Sequence, residues 1–411
     1  MDKVTPPQTY DRQSWRAYWE QTGQLWRTEP EIHPERQRML AERRTAEGAT
    51  NESPFAGMKL DRADVEWLLA THESYGVQGP VDAEDPAQRL REGLNLRAVD
   101  LRQARLGGLP LARTNFSNAL LDKVNLSQAH LERASFANSQ MQGAVLTKVW
   151  ARDASFRQTN LEDARFTEAH LESANLYQAN CRNAEFYITH LEEAYVGQAR
   201  FAQATIRRAF FDSGTSWNDA VLWDEQHVSA SLADARWGDT NLATMDWSQV
   251  RMIGDERDAR SRIDRDGKPK TADKWRDNYR RAVRANRQLA ITLRAQGMNE
   301  EADRFAYRAQ VCQRILYRRQ GRLGPAFGSG FLDMLAGYGY KPIRTLLVYL
   351  IIILAFTGSY LAIGNGTLSP IEALVFSITS FHGRGFFPAS VTVDTAVTVV
   401  AAAEAVIGLI L

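Results

Sequence analysis

The chain has little cysteine, no dominant charge and no apolar run among its first residues. Cysteines number two, Cys181 and Cys312, which excludes a disulfide framework and a four-cysteine metal site. Lys and Arg total 50 against 49 Asp and Glu, a net charge of +1. A dedicated nucleic-acid binder usually carries a basic excess, so no nucleic-acid partner is expected. The first residues, MDKVTPPQTYDRQSW, contain no apolar core of the signal-peptide kind, so no cleavable secretory signal is expected. Also missing are G-x-S-x-G, the P-loop pattern and H-E-x-x-H. No enzyme, cofactor or metal is expected from the sequence, and no outward group of His, Cys or carboxylates reads as a catalytic site.

What is present is a repeat. From Leu96 a large apolar residue returns at every fifth position: Leu101, Leu106, Leu111, Phe116, Leu121, Leu126, Leu131, Phe136 and onward to Phe211. Two positions earlier stands a small residue in most units, as at Ala119, Ala129, Ala134, Ala164 and Ala174. A period of five suits neither a helix, whose large residues would smear around the axis, nor a flat strand, where they would alternate faces. It suits a backbone that turns a corner once per unit and points the small and the large residue inward. Four sides then close a coil, and coils stack at about 4.8 Å with backbone groups paired above and below.

The run NLEDARFTEAHLESANLYQANCRNAEF closely resembles the pentapeptide-repeat family, whose units read A-(D/N)-L-x-x. The resemblance implies a right-handed quadrilateral β-solenoid over 94–250. The register slips by one after Phe211 and resumes at Trp217, Leu222, Leu232, Trp237, Leu242 and Trp247, with His227 breaking the pattern; the slip reads as a bulged corner. Such a rod serves as a spacer or as a partner-binding face. Its outward mixture of Arg133, Arg157 and Arg165 with Glu162, Glu172 and Glu192 argues against the acidic surface of a DNA mimic.

The flanks read as helical. Residues 1–93 are expected to cap the open end of the solenoid, with a short amphipathic helix over 60–71 capped by Asp61 or an earlier residue. His33 among Glu29 and Glu31 reads as solvated surface. Residues 251–273, charged and containing Gly254, Gly267 and Pro269, read as a linker. Residues 274–335 read as a helical hairpin connector broken at Gly297 and Asn299, resembling a single tetratricopeptide unit.

Residues 336–411 read as a membrane module. TLLVYLIIILAFTGSYLAI, 345–363, holds no charge and has the length of a bilayer helix. Arg308, Arg314, Arg318, Arg319, Arg322, Lys341 and Arg344 precede it, so the positive-inside rule puts the N-terminal region in the cytoplasm of a multi-pass inner (plasma) membrane protein. A short apolar run and a glycine-rich loop, 370–388, suit a re-entrant pore helix. A second span covers 395–411 and stops mid-apolar at Leu411, so the native chain is expected to continue.

EALVFSITSFHGRG and AEAVIGLIL resemble the pore helix, filter and second helix of the two-transmembrane potassium-channel-like family. The resemblance implies a pore lined by Thr379, Ser380, Phe381, His382, Gly383, Arg384, Gly385 and Phe386, a gating hinge at Gly408 and a helix-packing intramembrane charge at Glu404. Arg384 stands where that family has tyrosine, His382 where it has valine. Arginines on the ion path would repel cations unless paired, with Glu372 or Glu404 as candidate partners, so the filter argues against potassium selectivity. The expectation is therefore a mixed multidomain chain: β-solenoid, helical connector, and a two-helix transmembrane pore module with a re-entrant loop. It forms a homo-tetramer in lipid, passes an ion, and carries a rod that regulates gating or binds a protein partner. The alternative is a membrane-anchored, non-conducting interaction scaffold.

Overall fold

The computed structural model describes residues 5–45, 53–264, 267–363, 368–383 and 395–410. It divides into two compact units, Met1–Phe305 and Ala306–Leu411.

The first unit is built on a four-sided solenoid. Isolated parallel bridges join residues one coil apart, in columns such as Asn95, Asn115, Ser135, Ser155, Asn175, Tyr195, Ser216. Four such columns run from Asn95 to Arg236, each through seven coils. At most corners the amide of the small residue bonds the carbonyl of the preceding large one, as in Ala134 N to Leu131 O at 2.9 Å. The residue before the small one takes a left-handed φ, such as Gln128 at 60° and Asp153 at 58°. Asn, Asp and Gly tolerate that region best, yet many corners here carry Gln, Arg, Lys or Glu, held left-handed by the coil ladder. Inward, Phe116, Phe136 and Phe156 stack in one column with centroids 5.0 Å apart.

The coil lengthens after Phe211. Bridges span twenty-one residues at Tyr195–Ser216 and twenty-six at Thr205–Ser231. The first step is a bulged corner held by Asp212, whose Oδ1 accepts from the amides of Gly214 and Thr215, both at 3.0 Å. The second is a small excursion closed by the antiparallel Trp223–Ser229 bridge; it contains His227. The regular bridged coils end at Arg236, and Leu242–Thr244 and Trp247–Gln249 form 3₁₀ turns rather than another bridged coil.

Both ends of the sheet are closed by polar groups. At the first coil, α1 (Arg12–Gln21), α2 (Pro34–Thr45) and α3 (Arg62–Thr71) precede the repeats. Asp61 caps α3 in a capping box with Asp64. Lys59 pairs in parallel with Asp100, extending that side by one strand. The Arg62 guanidinium donates to the carbonyls of Arg105 at 2.9 Å and Gly107 at 2.8 Å. Pro110 stands on the fourth side, where a residue without an N–H suits an edge.

At the last coil the expected linker 251–273 is corrected. It contains α4 (Gly254–Arg260), whose Gly254, Asp255, Glu256 and Ala259 are buried. The reason is chemical: the terminal coil presents unpaired amides, and the α4 carboxylate of Asp255 accepts from Leu232 N and Ala233 N. The following α5 (Ala272–Ala295) adds Gln288 to Asp234 N and Gln296, its C-cap, to Leu242 N. So α5 closes the solenoid as well as leading away from it, and α6 (Asn299–Arg319) follows it.

The second unit holds the end of α6, then α7 (Leu323–Ala336), α8 (Pro342–Ile363), α9 (Pro370–Phe381) and α10 (Thr395–Ile410). The helix α7 is a correction to the simple hairpin. It stops at Gly337, whose left-handed φ of 52° lets its amide reach the carbonyls of Asp333 and Leu332. Asp333 accepts from Tyr307 Oη at 2.9 Å and Arg314 Nη1 at 2.8 Å. Among the described residues one helix, α8, is long and apolar enough to cross a membrane; α9 and the Ala396–Leu409 stretch of α10 are apolar but shorter. The helix α9 packs against α8 and α10, with Tyr360, Leu368, Ala373, Phe376 and Val397 as the shared core.

Candidate functional site

Thr379, Ser380 and Phe381 form the last turn of α9, and His382 is its C-cap. Gly383 follows with φ 66°. Ser380 is buried and His382 exposed; the His382 Nδ1 lies 2.8 Å from the Ile378 carbonyl. Phe381 meets the Tyr349 ring edge-on at 5.0 Å. Arg384, Gly385 and Phe386 lie outside the described residues, so the filter sequence is described only up to Gly383.

Glu404 is fully buried in α10. Tyr360 Oη of α8 donates to its Oε2 at 2.7 Å, and Ser377 Oγ of α9 to its Oε1. One carboxylate thus ties three helices together. Both acids expected to pair Arg384 make bonds among the described residues. Glu404 is bonded to those hydroxyls, and Glu372 bonds Ser369 in the capping box that starts α9.

Gly408 sits where α10 crosses the end of α9. A Cβ at this position would overlap the Phe381 carbonyl, with the Phe381 ring 3.3 Å away. Gly408→Ala is therefore expected to push α10 off α9 at a cost of about 1–3 kcal/mol, the range for overpacking. Limited proteolysis and thermal melts of the protein in detergent would register it. A Gly408→Ala protein as stable as the parent would show that this close approach is absent.

The solenoid carries a second constellation on one outer face. His130, Trp150, His170, His190 and Phe210 occupy one bridge column. Their rings stack with centroids 6.4, 4.3, 4.9 and 4.4 Å apart. Arg236 closes the column over Phe210 at 4.7 Å. Each histidine has its Nδ1 on a glutamate two residues on: His130 with Glu132 at 3.2 Å, His170 with Glu172 at 3.0 Å, His190 with Glu192 at 3.1 Å.

The pentapeptide-repeat family model matches residues 110–148 and 154–192, in 8 copies. The solenoid is a pentapeptide-repeat domain. Solved pentapeptide-repeat proteins show likeness of low global score. A trypsin-treated variant of QnrB1, a plasmid-mediated fluoroquinolone resistance protein, is 20% identical over 41% of this chain and 84% of its own, TM-score 0.31. HetL, involved in heterocyst differentiation regulation in the cyanobacterium Nostoc sp. strain PCC 7120, is 23% identical over 44% of this chain and 86% of its own, TM-score 0.23. A protein of the Arabidopsis thaliana thylakoid lumen is 23% identical over 26% of this chain and 71% of its own, TM-score 0.11. Comparison with curated proteins finds no match.

The outer column of the pentapeptide-repeat domain escapes a reading that looks for neighbours along the chain. Its signal is the tripeptide His-Leu-Glu, at 130–132, 170–172 and 190–192, spaced by whole coils. The Glu132 hydrogen bond holds the His130 imidazole above its ordinary value, against the opposing effect of burial. A raised folded-state value gives stability present in full below the unfolded-chain pKa, about 6.5, and lost as pH rises through the folded one. An NMR titration is expected to place His130 above that ordinary value and Glu132→Gln to bring it down. An unchanged midpoint in the variant would refute the coupling.

Proposed function

We propose that the chain is a membrane-anchored pentapeptide-repeat protein whose C-terminal helices form a pore-type module completed by ring assembly. The observation that carries this reading is the lodging of α9. A capped apolar helix too short to span packs against span-length α8 on one side and α10 on the other. Backbone that turns at membrane depth is tolerated only where it lines a cavity or is buried in protein. The left-handed φ of Gly383 after α9 supports this reading.

Two spans cannot enclose a pore alone, so the reading requires a closed ring of copies, a homo-tetramer by the channel resemblance. Leu346, Leu347, Leu350, Ile351 and Leu354 of α8 are exposed in the single chain and would meet lipid or a second copy. Basic residues ahead of α8 favour a cytoplasmic solenoid and an inner-membrane, multi-pass placement. The permeant ion would pass Thr379–Phe386, where Arg384, if unpaired, favours an anion over potassium. Planar-bilayer recording of the purified protein tests this: a conductance changed by Arg384→Tyr is expected. No conductance in any salt or pH would remove it.

A second reading, a non-conducting scaffold, is favoured by a different observation: α8 alone reaches span length among the described residues. There the membrane unit only tethers the rod, and the chain's work is to hold a protein partner on the solenoid. Neither reading assigns an enzymatic activity.

A further inference from the structure

We propose that the pentapeptide-repeat domain binds a divalent transition-metal ion at Glu172, His190 and Glu192. The inference rests on the solenoid alone and is independent of the membrane reading. One ligand-capable atom from each of the three residues lies within 4.8 Å of the others. Coil stacking makes this cluster, because His170 and His190 are bridge partners on adjacent coils and carry their glutamates with them.

Two carboxylates on adjacent coils repel each other unless something lies between them. Their Oε1 atoms face the histidine Nδ1 atoms. Their Oε2 atoms are both shielded from solvent and accept no hydrogen bond from a protein group among the described residues. A buried acceptor left unmatched is costly, more so when charged. Among the described residues no Lys or Arg forms an ion pair with either glutamate. A cation seated between the two Oε2 atoms and an imidazole nitrogen would satisfy both.

The donor set selects the cation. Imidazole with two carboxylates suits Zn²⁺ and its first-row neighbours and is foreign to the all-oxygen sites of Ca²⁺ and Mg²⁺. Ligand bonds of about 2.0–2.2 Å require the three side chains to draw in, a closure that the long glutamate χ angles can supply. Three protein ligands leave a coordination position open to water or to a partner's side chain. The surroundings hold the ligands in place: His190 is stacked between His170 and Phe210, and His170 steadies Glu172 as an outer-shell partner. The site is confined to this level because His-Leu-Glu recurs on adjacent coils only here. One coil before, Trp150 and Arg152 hold the positions, and one coil after, Phe210 and Asp212 do.

The test uses the full chain in detergent, stripped with chelator and titrated with Zn²⁺ by calorimetry, with Co²⁺ absorption as a second readout. One site per chain is expected, with the d–d bands of a low-coordinate Co²⁺ complex. Glu172→Gln/Glu192→Gln removes the charge at constant shape, and His190→Phe keeps the stack while removing the ligand. Each is expected to weaken Zn²⁺ at least tenfold while the circular dichroism spectrum stays that of the parent. Zn²⁺ binding of parent strength in both variants, or none in the parent protein, overturns the proposal.

Discussion

Asp255→Ala is expected to destabilise the first unit by about 3–5 kcal/mol, the range for breaking a buried charge pair from one side. Asp255 is almost fully buried, 1% exposed. Its Oδ2 accepts from Leu232 N at 2.6 Å and Ala233 N at 3.0 Å, and its Oδ1 receives Arg207 Nε at 3.0 Å. Burial pushes the carboxyl up, while Arg207 and the two amides act in the opposite sense. Alanine leaves two amides of the terminal coil without acceptors and Arg207 with Asp258 as its remaining carboxylate at 2.9 Å. Asp255→Asn keeps an acceptor for the amides and is expected to lose less. Urea denaturation followed by far-UV circular dichroism measures both, and hydrogen exchange at Leu232 and Ala233 localises the damage. An Asp255→Ala loss below about 1 kcal/mol, a single ordinary hydrogen bond, would show that α4 is not what closes the solenoid.

Phe156→Ala is expected to cost about 3–5 kcal/mol, the range for emptying a buried aromatic site. The Phe156 ring lies parallel to Phe136 at 5.0 Å and edge-on to Phe166 at 5.8 Å. It is wholly buried. The backbone ladder fixes the coil spacing, so neighbours cannot close the void. Repeat stability is dominated by nearest-neighbour contacts, so the loss should spread through the midpoint of the whole domain. Phe156→Leu fills most of the space and is expected to lose clearly less. Equal losses for the two variants would mean that filling the column is not what matters.

The solenoid is legible in the sequence because the inward rule repeats at every corner. Its departures are legible only in part. The slip at Phe211 shows because one added residue changes the phase. The Trp223–Ser229 excursion shows only as the break at His227, because it adds a whole unit of five and Leu222 and Leu232 stay in phase across it. The α4 cap hides for a different reason. Charged residues read as solvated, yet a cap for unpaired amides needs buried acceptors, and here the Asp255 carboxylate is one. Likewise α7 carries LGPAFGSG, whose glycines and proline disguise a helix. The His-Leu-Glu face shows in the sequence only to a comparison made one coil at a time, since Glu172 and Glu192 become neighbours only when the coil closes. In the second unit, α8 and α9 follow the two apolar runs that begin near Thr345 and Pro370. Glu404 could be singled out as a charge in an apolar helix, but its partners Tyr360 and Ser377 come from separate helices.

The most direct measurement is native mass spectrometry of the full-length protein released from detergent micelles. The account predicts a closed tetramer, in which the α8–α9–α10 module of each copy contributes one quarter of a central constriction. A monomer or a dimer as the stable species would contradict it.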